Sequence, residues 1–263
     1  MRIQAVVAAF VLFVPLLFAP EATTVVWSAD HETGDLSQWY SNNPYTVVAD
    51  SGYCYRPSNG VSTEQAHSGQ YAIKTTLYSR ETWWEKDSGC RTFRKPEAHS
   101  VQTLYYSAWF YMPEPVTVGT FWNVLQFKWE LDNESEVAWK IEIRNYQGSM
   151  YPVLFWKGLI EGPRQGDGLS GQWYAPDPMV PIQAAQWFHL EVGLRQSEGY
   201  DGQIAVWLND ELIFNEDNVR TTPPGGHLAF SVNNYGRGIS PYPNYLYIDD
   251  VAVSTDRVGE VKR

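Results

Sequence analysis

Apolar and polar residues alternate with a period of two along most of this 263-residue chain, and a helical period is almost absent. In an extended strand that alternation sends every second side chain to one face, so each strand buries one side and offers the other to solvent. The segment SEVAWKIEIRN (135–145) sets Val137, Trp139, Ile141 and Ile143 against Ala138, Lys140, Glu142 and Arg144. YYSAWFYM (105–112), HLAFSVNNY (227–235) and NYLYIDDVAV (244–253) have the same character, and WFHLEVGLR (187–195) buries Phe188, Leu190, Val192 and Leu194. That parity places His189 on the outer face of a back sheet. GQIAVWLNDELIF (202–214) predicts a hairpin turning at Asn209-Asp210. One helical turn is expected between Pro181 and Gln186. Many strands separated by Gly, Pro and Asn predict an all-β protein, a two-sheet antiparallel β-sandwich. No linker interrupts it, so residues 23–263 are expected to form one domain. The Gly- and Pro-rich stretch 158–181 predicts a long irregular loop, a candidate lid.

The first residues, MRIQAVVAAFVLFVPLLFAP, have Arg2 ahead of an apolar run from Ala5 to Phe18. This predicts a secretory signal over residues 1–22 and a secreted, extracellular protein. No later apolar run is long enough to span a bilayer. In that setting Cys54 and Cys90 are expected to form a disulfide, worth about 3–4 kcal/mol by the chain-entropy argument. Asn133 begins an N-E-S glycosylation sequon. The formal net charge of −11 argues against nucleic acid and anionic membranes as partners. It opposes acidic polysaccharides too, unless the cations gather in one place. With 12 Trp and 17 Tyr, the chain has many flat rings able to serve as core or as ligand platforms.

FWNVLQFKW (121–129) is the most informative strand. In a straight strand, Trp122, Val124, Gln126 and Lys128 share one face. Asn123, Leu125, Phe127 and Trp129 share the other, which is apolar enough to be core. An amide and an ammonium then stand together on the open side.

Several segments carry a resemblance. DHETGDLSQW (30–39) and YIDDVAV (247–253) resemble the paired opening and closing strands of concanavalin-like jelly rolls. YYSAWFYMPEP followed by WNVLQFKW is similar to the central strands of secreted polysaccharide lyases of that fold, the heparin-lyase-I-like and alginate-lyase group. Alginate lyases of this fold carry the motifs R-[ST]-E-L-R, Q-I-H and Y-F-K-A-G-V-Y-N. Here RTFR (91–94) matches the first through Arg91, with Phe93 in place of the acid. QFK (126–128) matches the second at Gln126, with Lys128 where the family has His. HLAFSVNN (227–234) fits the third in pattern, with His227 at the tyrosine position.

The resemblance implies β-elimination of a uronate-containing polysaccharide. Removing the C5 proton requires a neutralised neighbouring carboxylate, a base, and an acid for the leaving oxygen. Gln126 and Arg91 suit the carboxylate. His227, Lys128 or Tyr235 suits the proton transfers. Arg144 and Lys140, with Glu142 between them, form either a positive stripe for an anionic chain or a self-neutralising ladder. Asn233, Trp122, Trp156 and Trp173 complete the expected substrate contacts. The resemblance also implies a structural Ca²⁺ where the chain ends meet, with Glu32, Asp249 and Asp250 offering oxygen ligands. No organic cofactor is expected, and the protein is expected to be a monomer.

Two other readings fit parts of the sequence. A non-catalytic glycan-binding module would stack sugars on exposed Trp and Tyr and needs no proton-transfer group. A glycoside hydrolase needs two carboxylates roughly 5–9.5 Å apart. Glu130 and Glu142 are available, but no E-x-D-x-x-E arrangement is present.

Overall fold

The computed structural model describes residues 24–39, 58–78, 87–94, 103–131, 134–156 and 172–259. The expected signal, Cys54, Asn133 and most of the 158–181 stretch lie outside them. The described residues form strands in two antiparallel sheets, with one 3-10 turn at Ser37–Trp39. None of their helices is long and apolar enough to cross a membrane.

One sheet has eight strands. Its path runs β12 (Glu211–Val219), β11 (Gly202–Leu208), β10 (Trp187–Arg195), β5 (Thr103–Tyr111), β14 (Asn244–Ser254), β3 (Ala72–Leu77) and β2 (Ser58–Ser62), with β1 (Val25–Ala29) also pairing β14. The other has six, in the order β4 (Asp87–Arg94), β13 (His227–Ser240), β6 (Thr117–Leu131), β7 (Glu134–Tyr146), β8 (Ser149–Trp156) and β9 (Gln172–Tyr174). Successive strands are shared between the sheets, which is the connectivity of a jelly-roll sandwich.

The core lies between the sheets and follows the alternation. Leu104, Tyr106, Ala108 and Phe110 of β5 and Phe188, Leu190, Val192 and Leu194 of β10 face Phe127 of β6, Ile141 and Ile143 of β7, and Phe230 and Val232 of β13. Tyr106 meets Phe127 edge-on at 4.9 Å between ring centroids, joining the layers. At the tip of the β11–β12 hairpin, Asn209 and Asp210 have φ of 50° and 65°. Two successive left-handed residues make the turn that matches strand twist, and Asn and Asp tolerate that conformation best after Gly.

Four local expectations are revised. The opening strand that pairs with β14 is Val25–Ala29, with Ala29 opposite Val251. DHETGDLSQW follows it as turns and the 3-10 segment, because its polar Asp, Glu, Thr and Ser side chains bond to nearby backbone instead. Pro181–Gln186 holds a bridge and a turn, with no helix. Gln172–Tyr174, placed in the loop by its Gly- and Pro-rich flanks, adds an edge strand to β8. Finally, β6 is not straight. Asn123 pairs with Glu142 but Leu125 with Ile141, so Val124 is an extra residue in a β-bulge.

Candidate functional site

The bulge decides which side chains the open face of the six-stranded sheet presents. Adding one residue between Asn123 and Leu125 reverses the parity of everything before it. Asn123 therefore shares the open face with Gln126, although a straight strand would bury it with Leu125. Their amides touch, with Asn123 Nδ2 donating to Gln126 Oε1 at 2.6 Å. The same reversal turns Trp122 inward. It is fully buried in the core, with Nε1 donating to Asn234 Oδ1 at 2.8 Å, and offers no sugar platform.

From Gln126 a hydrogen-bonded chain runs onto β13. Asn233 Nδ2 donates to Asn123 Oδ1 at 3.1 Å, and Ser231 Oγ donates to Asn233 Oδ1 at 2.9 Å. Each link fixes the next amide. Because the Gln126 oxygen accepts from Asn123, its NH₂ is the donor left over in the set, and this buried Nε2 has no partner among the described residues. Buried donors are almost always satisfied, so one left open marks a place for a ligand or water. Asn123 was not legible as a site residue under a straight-strand reading. The signal was Asn and Gln three apart in an otherwise apolar run, a spacing that only a bulge reconciles with one face.

β13 delivers Tyr235 beside this network, opposite Asn123. Its ring lies against Gly89 of β4, where a Cβ would come within 2.1 Å of Tyr235 Cδ2. The Arg91 guanidinium stands 4.0 Å from the ring centroid, and Phe121 meets it edge-on at 5.2 Å. Arg91 is itself opposite Asn233. Gln126, Arg91, Asn233 and Tyr235 are thus brought together.

Lys128 is on the same face, opposite Ala229, two residues or roughly 7 Å of strand beyond Gln126. His227 starts β13 opposite Glu130, and its side chain is outside the described set. Its backbone is four residues, roughly 13 Å of strand, before Ser231 and farther still from Tyr235. The register thus places the His227 and Tyr235 backbones well apart along β13, with Tyr235 the one opposite Asn123.

Next to this cluster β7 contributes Lys140, Glu142 and Arg144. Fully buried Glu142 holds both cations: Lys140 Nζ lies 2.6 Å from Oε1, and Arg144 Nε and Nη2 donate to Oε2 at 2.9 and 2.6 Å. The triad keeps one net positive charge, so the ladder is only half neutralised. Trp173 of β9 is 55% exposed and stands over this end. It is 4.8 Å from the Phe155 ring, 5.7 Å from the Arg144 guanidinium, and 3.4 Å from Glu142 Oε2 through Nε1. Trp156 instead packs on the core side against Trp139, at 5.8 Å, because its register partner is that inward residue. Glu142 is not available as a hydrolase carboxylate, since both oxygens are taken.

The expected calcium ligands do not converge. Glu32 Oε1 accepts from the Gln70 and Tyr71 amides at 2.8 and 2.9 Å. Asp249 is bonded by the His67 and Ser68 amides and faces His31 Nδ1 at 3.3 Å. Asp250 holds His67 Nδ1 at 2.6 Å and Ser68 Oγ at 2.8 Å. In this arrangement the three carboxylates accept hydrogen bonds from N–H and O–H donors. Among the described residues no group of three or more His, Cys, Asp or Glu is placed to hold a metal. Of the cysteines, Cys90 is buried, its sulfur 3.8 Å from the Thr76 carbonyl oxygen. No disulfide is found among the described residues, and Cys54 is not one of them.

Comparison with known proteins gives a match to the polysaccharide lyase family model over residues 31–252. Solved structures with the same fold include an endo-β-1,4-glucuronan lyase from the fungus Trichoderma reesei, 15% identical over 89% of this chain and 96% of that one, with a TM-score of 0.66. An alginate lyase from Aplysia kurodai is 15% identical over 88% of this chain and 98% of its own, with a TM-score of 0.55. One from a Chlorella virus is 14% identical over 75% and 89%, also at 0.55. At these identities the likeness is one of fold. No curated protein sequence matches the chain.

Proposed function

The chain belongs to the polysaccharide lyase family, and we propose that it cleaves a uronate-containing polysaccharide by β-elimination on the open face of its six-stranded sheet. The observation that carries this reading is the buried NH₂ of Gln126, without a partner among the described residues and oriented by the Asn123–Asn233–Ser231 chain beside Arg91 and Tyr235. An amide donor and a guanidinium together recognise a carboxylate and draw off its charge, which acidifies the C5 proton.

Tyr235 then handles the proton. As phenolate it takes hydrogen from C5. The C5–H electron pair becomes the C4–C5 double bond as the C4–O bond breaks, and the phenol returns its proton to the leaving oxygen. The Arg91 guanidinium stands over this ring, 4.0 Å from its centroid. Lys140 and Arg144, with Trp173 above them, hold the next uronate by charge and ring contact. This local gathering of cations offsets the net charge of −11 within the groove. The likeness to glucuronan and alginate lyases supports a uronate polymer as substrate. The apolar leader supports secretion.

The test is a panel of glucuronan, alginate, pectic and heparin-like polymers, read by the near-ultraviolet absorbance of the unsaturated product. Activity on at least one is expected. Tyr235→Phe should lower kcat by about 10²–10⁴ with the fold intact. New reducing ends without absorbance would mean hydrolysis. Retardation on a substrate gel with neither product would leave only a binding module.

A further inference from the structure

The outer face of the eight-stranded sheet contains a cavity of about 280 Å³, lined by residues that include His67, Ser107, Trp109, His189, Asp250 and Val258. It is on the opposite layer from Gln126 and Tyr235 and shares no residue with them.

Its main wall is rigid. The Trp109 ring is stacked between His67, at 3.8 Å, and His189, at 4.9 Å. The Asp250 carboxylate grips His67 Nδ1 and Ser68 Oγ, which leaves Nε2 as the nitrogen His67 can offer. Asp250 makes this grip from a bulge in β14, with φ of 44°, a conformation a non-glycine residue adopts at a cost. His189 is 1% exposed, yet its Nδ1 has no hydrogen-bond partner among the described residues. Burial pushes this imidazole down to about 4, so it is neutral at ordinary pH, with one nitrogen donating and the other accepting. An orphaned polar atom at that depth, on the wall of a cavity, is unexplained by the fold itself.

The lining selects the ligand chemistry. A neutral imidazole suits a hydroxyl, which also donates and accepts. Asp30 and Asp250 accept hydrogen bonds and repel anions, and no lysine or arginine is among the described lining residues. Ala29, Val251 and Ala252 supply apolar contact for C–H groups. A metal ion is disfavoured because the Asp250 oxygens are already engaged. We propose that this cavity is a second binding site, for a neutral, hydroxyl-rich ligand of about one sugar ring, separate from the elimination site. The volume is at the lower end for small-molecule pockets, which suits a single ring and not an oligomer. The proposal does not rest on the lyase chemistry.

The chain has five histidines, so the ring Cε1–H signals of ¹³C-histidine-labelled full-length protein form a small, assignable set. His67→Gln and His189→Gln identify the two of interest. Titration with the neutral methyl glycosides of glucose, galactose, mannose and xylose should shift those two signals saturably with at least one probe, and glucuronate should not. Ala252→Leu, which fills the cavity from β14, should abolish the shifts without changing the rate on a uronate polymer. Should that variant fail to fold, His189→Gln decides, since the remaining His67 signal should then lose most of its response. No saturable shift with any probe up to about 50 mM, where a millimolar site is filled, means a cavity for water only and overturns the proposal. Equal shifts with glucuronate, or shifts that persist in the variants, overturn it as well.

Discussion

Gly89 has no side chain to offer a ligand, yet it sets where Tyr235 lies. A Cβ there would come within 2.1 Å of the tyrosine ring carbon, too close for both to stay. Gly89→Ala should therefore displace the ring, costing about 1–3 kcal/mol in stability by overpacking. It should also cost about 100-fold in kcat, because a displacement near 1 Å at the reacting group is enough for that. Thermal melting and turnover on the same preparation check both, and an unchanged kcat would remove Tyr235 from the chemistry. Glu142 is a second residue whose worth comes from its neighbours. Glu142→Gln leaves Lys140 and Arg144 facing each other across a buried neutral amide, at a cost of about 3 kcal/mol. KM for the polymer should rise more than kcat falls, which steady-state kinetics reads directly. Gln126 stood out as a candidate because a polar group in an apolar strand needs a reason, whereas Arg91 rested on the motif resemblance and Tyr235 on its parity with His227. Trp122 and Trp156 were not legible, because a tryptophan is equally at home in core or platform.

Elements carry the next level of meaning, chiefly through their irregularities. The β11–β12 hairpin was readable from Asn209-Asp210 because turn chemistry is local. The bulges in β6 and β14 were not, since an extra residue shows only against its partner strand. Deleting Val124 should remove the bulge and make Asn123 and Leu125 neighbours on opposite faces, so that Asn123 stays on the open face opposite Glu142. A near-ultraviolet product signal that persists, in protein whose circular dichroism still reports strands, is the expected result. The C-terminal segment is another such element. Arg257 Nε and the Val258 and Gly259 amides all donate to the fully buried Glu191 on β10, at 2.9, 2.6 and 3.4 Å. Truncation after Asp256 strips those donors and should destabilise the fold by about 3–5 kcal/mol, with a lower urea midpoint. Arg257→Ala, which keeps both amides, should cost less.

Across the whole molecule the two sheets separate two chemistries, and pH tests the back one. His189 is driven down mainly by burial. Arg257 and His67 add to this, and Asp210 and Asp250 oppose it. Its folded value is about 4 against an ordinary 6.5, so between those values the unfolded chain binds the extra proton. Stability should fall as pH drops from about 6.5 to about 4, by on the order of 3 kcal/mol from this group. His189→Gln should flatten that part of the profile, seen in urea midpoints at neutral and acid pH. The sequence alone determined the all-β class, the strands that supply the core and the polar faces of β7 and β13. Alternation is written one residue at a time and needs no partner. Which face Asn123 and Trp122 take, which tyrosine meets Arg91, and what engages Asp249 and Asp250 were decided only by the tertiary structure. Those depend on register across strands distant in the chain, and a single inserted residue in one strand inverts them.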